Sequence, residues 1–180
     1  MKKQIALLRG INVGGKNKIA MADLKKAFET WGFSEVKTYI NSGNVLFSSD
    51  IEEKTALVQS CQALLKDQFG LTIPVMVLSV DELTKTVEHA PIWWNQATER
   101  IYYAIFVIPP MTVAEVYQAV GETDPVYEQM ADYGDVIFWS AAQQTFSKSR
   151  WAKIASSAVN KQVTIRNGKT VNKLLLLGRG

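Results

Sequence analysis

After an apolar run ending at Leu8 the chain reads Arg9-Gly10-Ile11-Asn12-Val13-Gly14-Gly15-Lys16-Asn17-Lys18, which combines glycines, carboxamides and cations in ten residues. Glycines let backbone N–H groups come close to a ligand, a helix that follows offers its positive N-terminal end, and Arg9, Lys16 and Lys18 supply charge. Arg9, Asn12, Gly14, Gly15 and Lys16 are therefore candidate ligands for a phosphate-bearing small molecule. Gly10, four residues, then Gly15-Lys16 nearly reproduces the nucleotide-binding loop. Asn17 breaks it, because it stands where a Ser or Thr hydroxyl would bind Mg²⁺, and the hairpin expected after the next helix differs from the parallel crossover of such folds.

A second cluster lies near the C-terminus, in Thr164-Ile165-Arg166-Asn167-Gly168-Lys169-Thr170-Val171-Asn172-Lys173. A strand gives way there to a helix that Asn167 or Thr170 can cap, which sets Arg166 and Lys169 beside free backbone donors. No catalytic constellation stands out: His89 has no identifiable partner, Cys61 falls on an apolar helical stripe, and the acidic residues lie mainly on amphipathic helices. One cysteine and one histidine exclude an internal disulfide and an ordinary structural zinc site, so no metal and no cofactor are expected. Trp93-Trp94, after Pro91, reads as a cover for the end of a core or as a surface anchor.

The elements that must position these residues repeat. Ile5–Leu8 reads as a strand, Leu24, Ala27, Phe28 and Trp31 recur at helical spacing up to Gly32, and Val36–Ile40 and Val45–Phe47 form a hairpin across Asn41-Ser42-Gly43-Asn44. Asp50 is the expected cap of a long helix through Leu57, Val58, Cys61, Leu64, Leu65 and Phe69, and Pro74–Leu78 is a fourth strand. The order returns in the second half: strand Ile101–Ile108, helix from Thr112 to Gly121, strands near Val126–Met130 and at Val136–Trp139, a helix carrying Trp151, Ile154, Ala155 and Ala158, and strand Val163–Ile165. Gly32 and Gly121, and the turn glycines Gly43 and Gly134, keep nearly the same offset, as an internal duplication leaves.

The expected fold is α/β of the α+β type. It has two tandem ferredoxin-like βαββαβ units, at 1–79 and 99–180, joined by a helix and loop at 80–98, packed as one body, with an extra C-terminal helix near 171–177. Strands apolar on both sides, such as Ile5–Leu8, imply that both sheet faces are covered.

With 180 residues and 47% hydrophobic content the chain can bury a real core. No apolar run is long enough for a bilayer and the start does not resemble a secretory signal, so a cytoplasmic protein with no membrane association is expected. Net charge is only +3, yet it is unevenly spread: residues 1–22 hold five Lys/Arg, residues 136–180 hold eight, and all 17 Asp/Glu fall between 23 and 135. If the two ends meet they make a surface that attracts phosphate or carboxylate.

The segments Leu8–Ile19, Thr38–Val45 and Arg166-Asn167 with Thr170-Val171 and Lys173-Leu174 resemble an uncharacterised bacterial family, the domain of unknown function 1697 family. The resemblance spans nearly the whole chain. It implies a small cytosolic α/β protein and brings no activity with it. It also makes the turn residues Asn41, Ser42 and Asn44 part of a shared pattern, and so candidate ligand-binding residues beside Arg166, Asn167, Lys169 and Thr170. Gly168 departs from the pattern, which has a tryptophan there.

The leading functional reading is a non-catalytic or weakly catalytic module that binds an anionic ligand at the Arg9–Lys18 loop. Nucleic-acid binding is the alternative, because ferredoxin-like units include the RNA-recognition fold, although Val45, Leu46 and Phe47 look packed rather than exposed for stacking. An enzyme of unidentified reaction and a purely structural partner protein are the others. The oligomeric state is not legible.

Overall fold

The computed structural model describes residues 1–180. Strand β1 (Lys2–Leu8) leads to helix α1 (Met21–Trp31), the hairpin β2 (Ser34–Tyr39) and β3 (Asn44–Ser49), helix α2 (Lys54–Phe69) and β4 (Val75–Ser79). Helix α3 (Val80–Glu88) follows. Then come β5 (Arg100–Val107), α4 (Val113–Val120), β6 (Glu128–Tyr133), β7 (Val136–Ala142), three short 3-10 turns (Gln143–Lys148, Trp151–Ser156, Ala158–Gln162), β8 (Val163–Asn167) and α5 (Gly168–Arg179).

The strands form two four-stranded antiparallel sheets, ordered β2-β3-β1-β4 and β6-β7-β5-β8. Each is the ferredoxin-like βαββαβ arrangement, and the duplication expected from the glycine offsets is present. The central strands match: Ile5 lies opposite Leu46 and Leu78, and Ile105 lies opposite Ile137 and Ile165. The chain divides into two compact units, Met1–Leu83 with Leu174–Gly180, and Thr84–Lys173, so the boundaries fall inside α3 and α5.

In the first unit Ala6, Leu8, Val45 and Phe47 bury one sheet face against Leu24 and Phe28 of α1 and Leu57, Leu64 and Leu65 of α2. Phe28, Phe33 and Phe47 meet edge-on or tilted, with Phe33 and Phe47 centroids 4.6 Å apart. Ile5 and Leu7, which alternate onto the opposite face, are equally buried, as the two-sided apolar pattern of β1 required. In the second unit Ile105, Val107, Ile137 and Trp139 play the corresponding part with Val116, Trp151 and Ile154.

Three local expectations change. Asp50 does not cap α2; it pairs with the N-terminal ammonium at 3.3 Å, and Glu53 accepts the N–H groups of Thr55 and Ala56 instead. The backbone donors it takes hold the Glu53 carboxyl below its ordinary range. The helix expected through Trp151 and Ala158 is a set of 3-10 turns in which Ala155 and Ala158 are exposed and Val159 is buried. Ser149, Ser156 and Ser157 each donate their hydroxyl to the carbonyl three residues back, a local bond that competes with α-helical continuation. Helix α5 begins at Gly168, earlier than the apolar pattern suggested, because Asn167 Oδ1 accepts Thr170 N–H at 2.8 Å.

No helix is long and apolar enough to cross a membrane, and no group of three or more His, Cys, Asp or Glu side chains is placed to hold a metal ion.

Candidate functional site

Between β1 and α1 the chain folds back on itself. Val13 and Lys16 bridge in antiparallel fashion, Lys16 N–H donates to Val13 O at 3.0 Å, and Gly14 and Gly15 between them have φ of +56° and +75°. Two consecutive left-handed residues define a two-residue hairpin turn, which glycine enters without a Cβ penalty. These glycines thus have a structural role at the tip of a hairpin. It differs from a nucleotide-binding loop in that Lys16 is separated from α1 by Asn17-Lys18-Ile19-Ala20 rather than opening the helix itself.

Asn12 stitches the base of the hairpin. Its Oδ1 accepts Ile19 N–H at 2.8 Å, and its Nδ2 donates to Ile19 O and to Asn41 O, both at 2.9 Å. Asn17 Nδ2 donates to Gly10 O at 2.9 Å, and Asn12 N–H to Asn17 O at 3.1 Å. Below them Ile11 is buried against the β2–β3 turn, and Gly43 there has no room for a side chain: a Cβ would lie 2.6 Å from Ile11 Cδ1 and 2.9 Å from Leu8 Cβ. Asn44, fully buried, donates to Tyr39 O and Ser42 Oγ and closes the same turn. The loop and the Asn41-Ser42-Gly43-Asn44 turn, predicted separately, are therefore one structure.

What this structure leaves to solvent is cationic. Val13, Gly14, Gly15, Lys16, Asn17 and Lys18 are exposed, and Arg9 is half-buried. Asn12, Gly15, Lys18, Ile19, Ala20 and Asn41 border an open depression at the N-terminus of α1. Ala20 is the N-cap residue, and no side chain caps the helix. Its first-turn N–H donors therefore meet the depression without a capping acceptor, with Asp23 the acidic residue of that turn.

The C-terminal cluster lies in the other unit, and its members divide. Arg166 is buried, and its Nη1 donates to Thr164 Oγ1 at 2.8 Å and Ile165 O at 2.9 Å; burial lowers its pKa to about 10, which leaves it cationic at neutral pH. Thr170 is also buried. Asn167 and Lys169 are exposed and border a cleft with Asn95, Arg100, Gln143 and Asn172. Asn95, Arg100 and Gln143 carry no motif that marks them as site residues, because they belong to a linker, a strand start and a strand exit that only sheet pairing assembles.

Other features are structural. Trp94 is buried edge-on against Tyr102 and Phe138, with centroids 5.7 and 4.9 Å away. Cys61 is fully buried, and desolvation pushes its thiol up to about 12, so it is inert as a nucleophile. His89 stacks on Tyr133 at 4.1 Å, with Nδ1 2.8 Å from Lys85 O.

A family model described as a protein of unknown function (DUF1697) matches residues 1–138. The structure of a conserved bacterial protein, SP0830 from Streptococcus pneumoniae, is similar, with a TM-score of 0.87 and 30% sequence identity over 98% of this chain and 98% of that one. No curated protein matches the chain.

Proposed function

The chain belongs to the DUF1697 family, and from that premise, which carries no reaction, we propose that it binds a phosphate-bearing small anion where the β1–α1 hairpin meets the start of α1. The observation that carries this reading is the uncapped N-terminus of α1 opening on a depression bordered by Lys18, Asn12 and Gly15. An anion there would accept the first-turn N–H groups that elsewhere take a capping side chain, as Glu53 does in α2 and Thr112 in α4. Lys18, with Lys16 two residues earlier on the same arm of the hairpin, would supply charge. The hairpin itself is held by Asn12, so the site is preorganised before ligand arrives.

The RNA-recognition alternative lacks its platform. Val45, Leu46 and Phe47, the strand that would stack bases, are 0%, 5% and 2% exposed.

A thermal-shift screen with inorganic phosphate, pyrophosphate and sugar phosphates tests the proposal, because a ligand of the native state raises Tm. We expect a shift that Lys18→Ala reduces while the ligand-free Tm stays the same, Lys18 being exposed. Gly15→Val, which forces a branched residue into the left-handed turn, would deform the hairpin tip and reduce the shift as well. A shift that survives both substitutions in folded protein defeats the proposal.

A further inference from the structure

The second unit contains a cleft of about 400 Å³ bordered by the linker before β5, the exit of β7 and the first turn of α5. That size lies within the range of ~300–1,000 Å³ usual for small organic ligands. Its chemistry is one-sided: Arg100 and Lys169 border it and no aspartate or glutamate does. Carboxamides make up much of the rest of its lining, among them Asn95, Gln143, Asn167 and Asn172, while Tyr102, on the linker side of β5, adds an apolar ring.

Several bonds fix these groups and still leave recognition atoms over. Arg100 Nε donates to the fully buried Ser140 Oγ at 2.8 Å. The guanidinium is thus held by one atom, and its Nη pair is left to grip an oxyanion in two-pronged fashion. Gln143 Nε2 donates to Thr98 O at 3.1 Å, which leaves Oε1 as an acceptor; Asn167 Oδ1 caps Thr170 N–H, which leaves Nδ2 as a donor. Asn95 stands at a left-handed φ of +58° and donates from Nδ2 to Gly168 O at 3.1 Å, across 73 residues of sequence. Gly168 makes that wall feasible, since a Cβ there would fall 1.8 Å from Asn95 Oδ1. A non-glycine residue in the left-handed region, locked against a glycine far along the chain, is a feature that the linker alone does not require.

We infer that this cleft binds a phosphomonoester on a polyhydroxylated body, the chemistry shared by a sugar phosphate and a mononucleotide. The phosphate takes Arg100 and Lys169, the hydroxyls take the carboxamides, which offer donor and acceptor together, and Tyr102 faces the ring. Inorganic phosphate engages only the cations and an uncharged sugar only the carboxamides. The site shares no residue with the β1–α1 hairpin.

Isothermal titration calorimetry of the full chain with ribose phosphate, adenosine monophosphate, free ribose and inorganic phosphate tests it. We expect at least one ester to bind about tenfold or more tighter than inorganic phosphate and ribose. The tighter ester identifies the body, sugar phosphate or mononucleotide. Lys169→Gln, which removes a cation, and Asn172→Asp, which adds a repelling carboxylate, each weaken that ester by about tenfold. Both positions are exposed, so circular dichroism should show an unaltered fold. The inference is overturned if neither ester gives heat at millimolar concentration, if inorganic phosphate binds as tightly as the esters, or if ester binding survives both variants. Binding lost in Lys18→Ala and kept in Lys169→Gln overturns it too, by moving the ligand to the hairpin.

Discussion

From β1 to α1 the first unit runs through Arg9–Ala20; from β5 to α4 the second runs only through Ile108–Thr112, by way of a cis Pro109–Pro110 bond. Both connections join the same strand to the same helix of the same fold. The short one ends in a capping box, with Thr112 Oγ1 accepting Glu115 N–H and the Glu115 carboxyl accepting Thr112 N–H; the long one ends in Ala20 with no cap. A five-residue connection therefore suffices for the fold, and the further residues of the first unit are free to serve something other than connectivity. They are not slack, since Asn12 and Asn17 bond them into a hairpin, and a ligand role is the use that their charge and the uncapped helix support.

The units differ at a second corresponding place. Between β3 and β4 stands the regular helix α2; between β7 and β8 stand only 3-10 turns. Short 3-10 turns bond poorly among themselves, so something else must hold them. Glu128 does so from β6: buried to 4% exposure, it accepts Trp139 Nε1–H at 3.0 Å and Trp151 N–H at 2.7 Å on Oε1, and Asp124 N–H at 2.8 Å on Oε2. Trp151 in turn donates its indole N–H to Gly121 O at 3.0 Å. One buried carboxyl group takes over the anchoring that a helix supplies to itself in the first unit.

Glu128 is accordingly where the comparison breaks hardest. Glu128→Ala leaves three donors without acceptors, two of them buried, and should cost about 3–5 kcal/mol in urea unfolding. A loss under about 1 kcal/mol would mean that the turns are held by packing alone, as hydrophobic contacts would suffice.

The two hairpin turns come next. Gly43→Ala meets both the left-handed strain of φ +86° and the contact with Ile11, whereas Gly134, at φ +57°, has open space around it. We expect about 2–4 kcal/mol for the first and about 1 kcal/mol for the second. Equal losses would show that the β1–α1 loop does not press on its turn.

Asn12→Ala removes the stitch of the long connection and should cost about 1–3 kcal/mol, because Ile19 N–H loses its acceptor. Hydrogen exchange at Ile19 should accelerate while exchange in the second unit stays unchanged. Smaller again, Ala20→Asp gives α1 the side-chain cap it lacks and should add about 0.5–1 kcal/mol without ligand, while reducing any phosphate-induced rise in Tm. Stabilisation with undiminished phosphate binding would separate the helix end from the site.

The smallest effect concerns pH. Helix α3 has its own box, with Ser79 N–H donating to Glu82 Oε2 at 2.7 Å and Glu82 N–H to Ser79 Oγ at 3.1 Å, and Lys54 pairs with the same carboxyl group. Burial pushes the Glu82 carboxyl up, but Lys54 and Ser79 outweigh it, and the net shift is down from 4.5. The stabilisation is thus fully present above pH 4.5 and is lost as pH falls through the lower folded value. Because the group is half-exposed, Glu82→Gln should change the acid limb of stability by only a few tenths of a kcal/mol.

The strand order, both sheets, α1, α2, α4 and the duplication were legible in the sequence, because apolar periodicity and turn glycines report on local geometry and on burial, which each residue carries in its own chemistry. The cationic loop and a helix cap at Asn167 or Thr170 were legible for the same reason, and the bond from Thr170 N–H decides for Asn167. Tertiary structure decided the rest. Trp151 and Ile154 at a spacing of three suit an α-helix or a 3-10 turn equally, and the choice lay with serine back-bonds and with Glu128, 23 residues away. That Gly14 and Gly15 stand at a hairpin tip emerged only when Val13 paired with Lys16, and Asn41 joined Asn12 only through a bond across 29 residues. Arg100, Asn95 and Gln143 carry no motif and border one cleft only because β5, β7 and α5 converge there. Composition and spacing specify which faces must be buried; which polar groups meet is set by register and loop path, which a local pattern of residues does not contain.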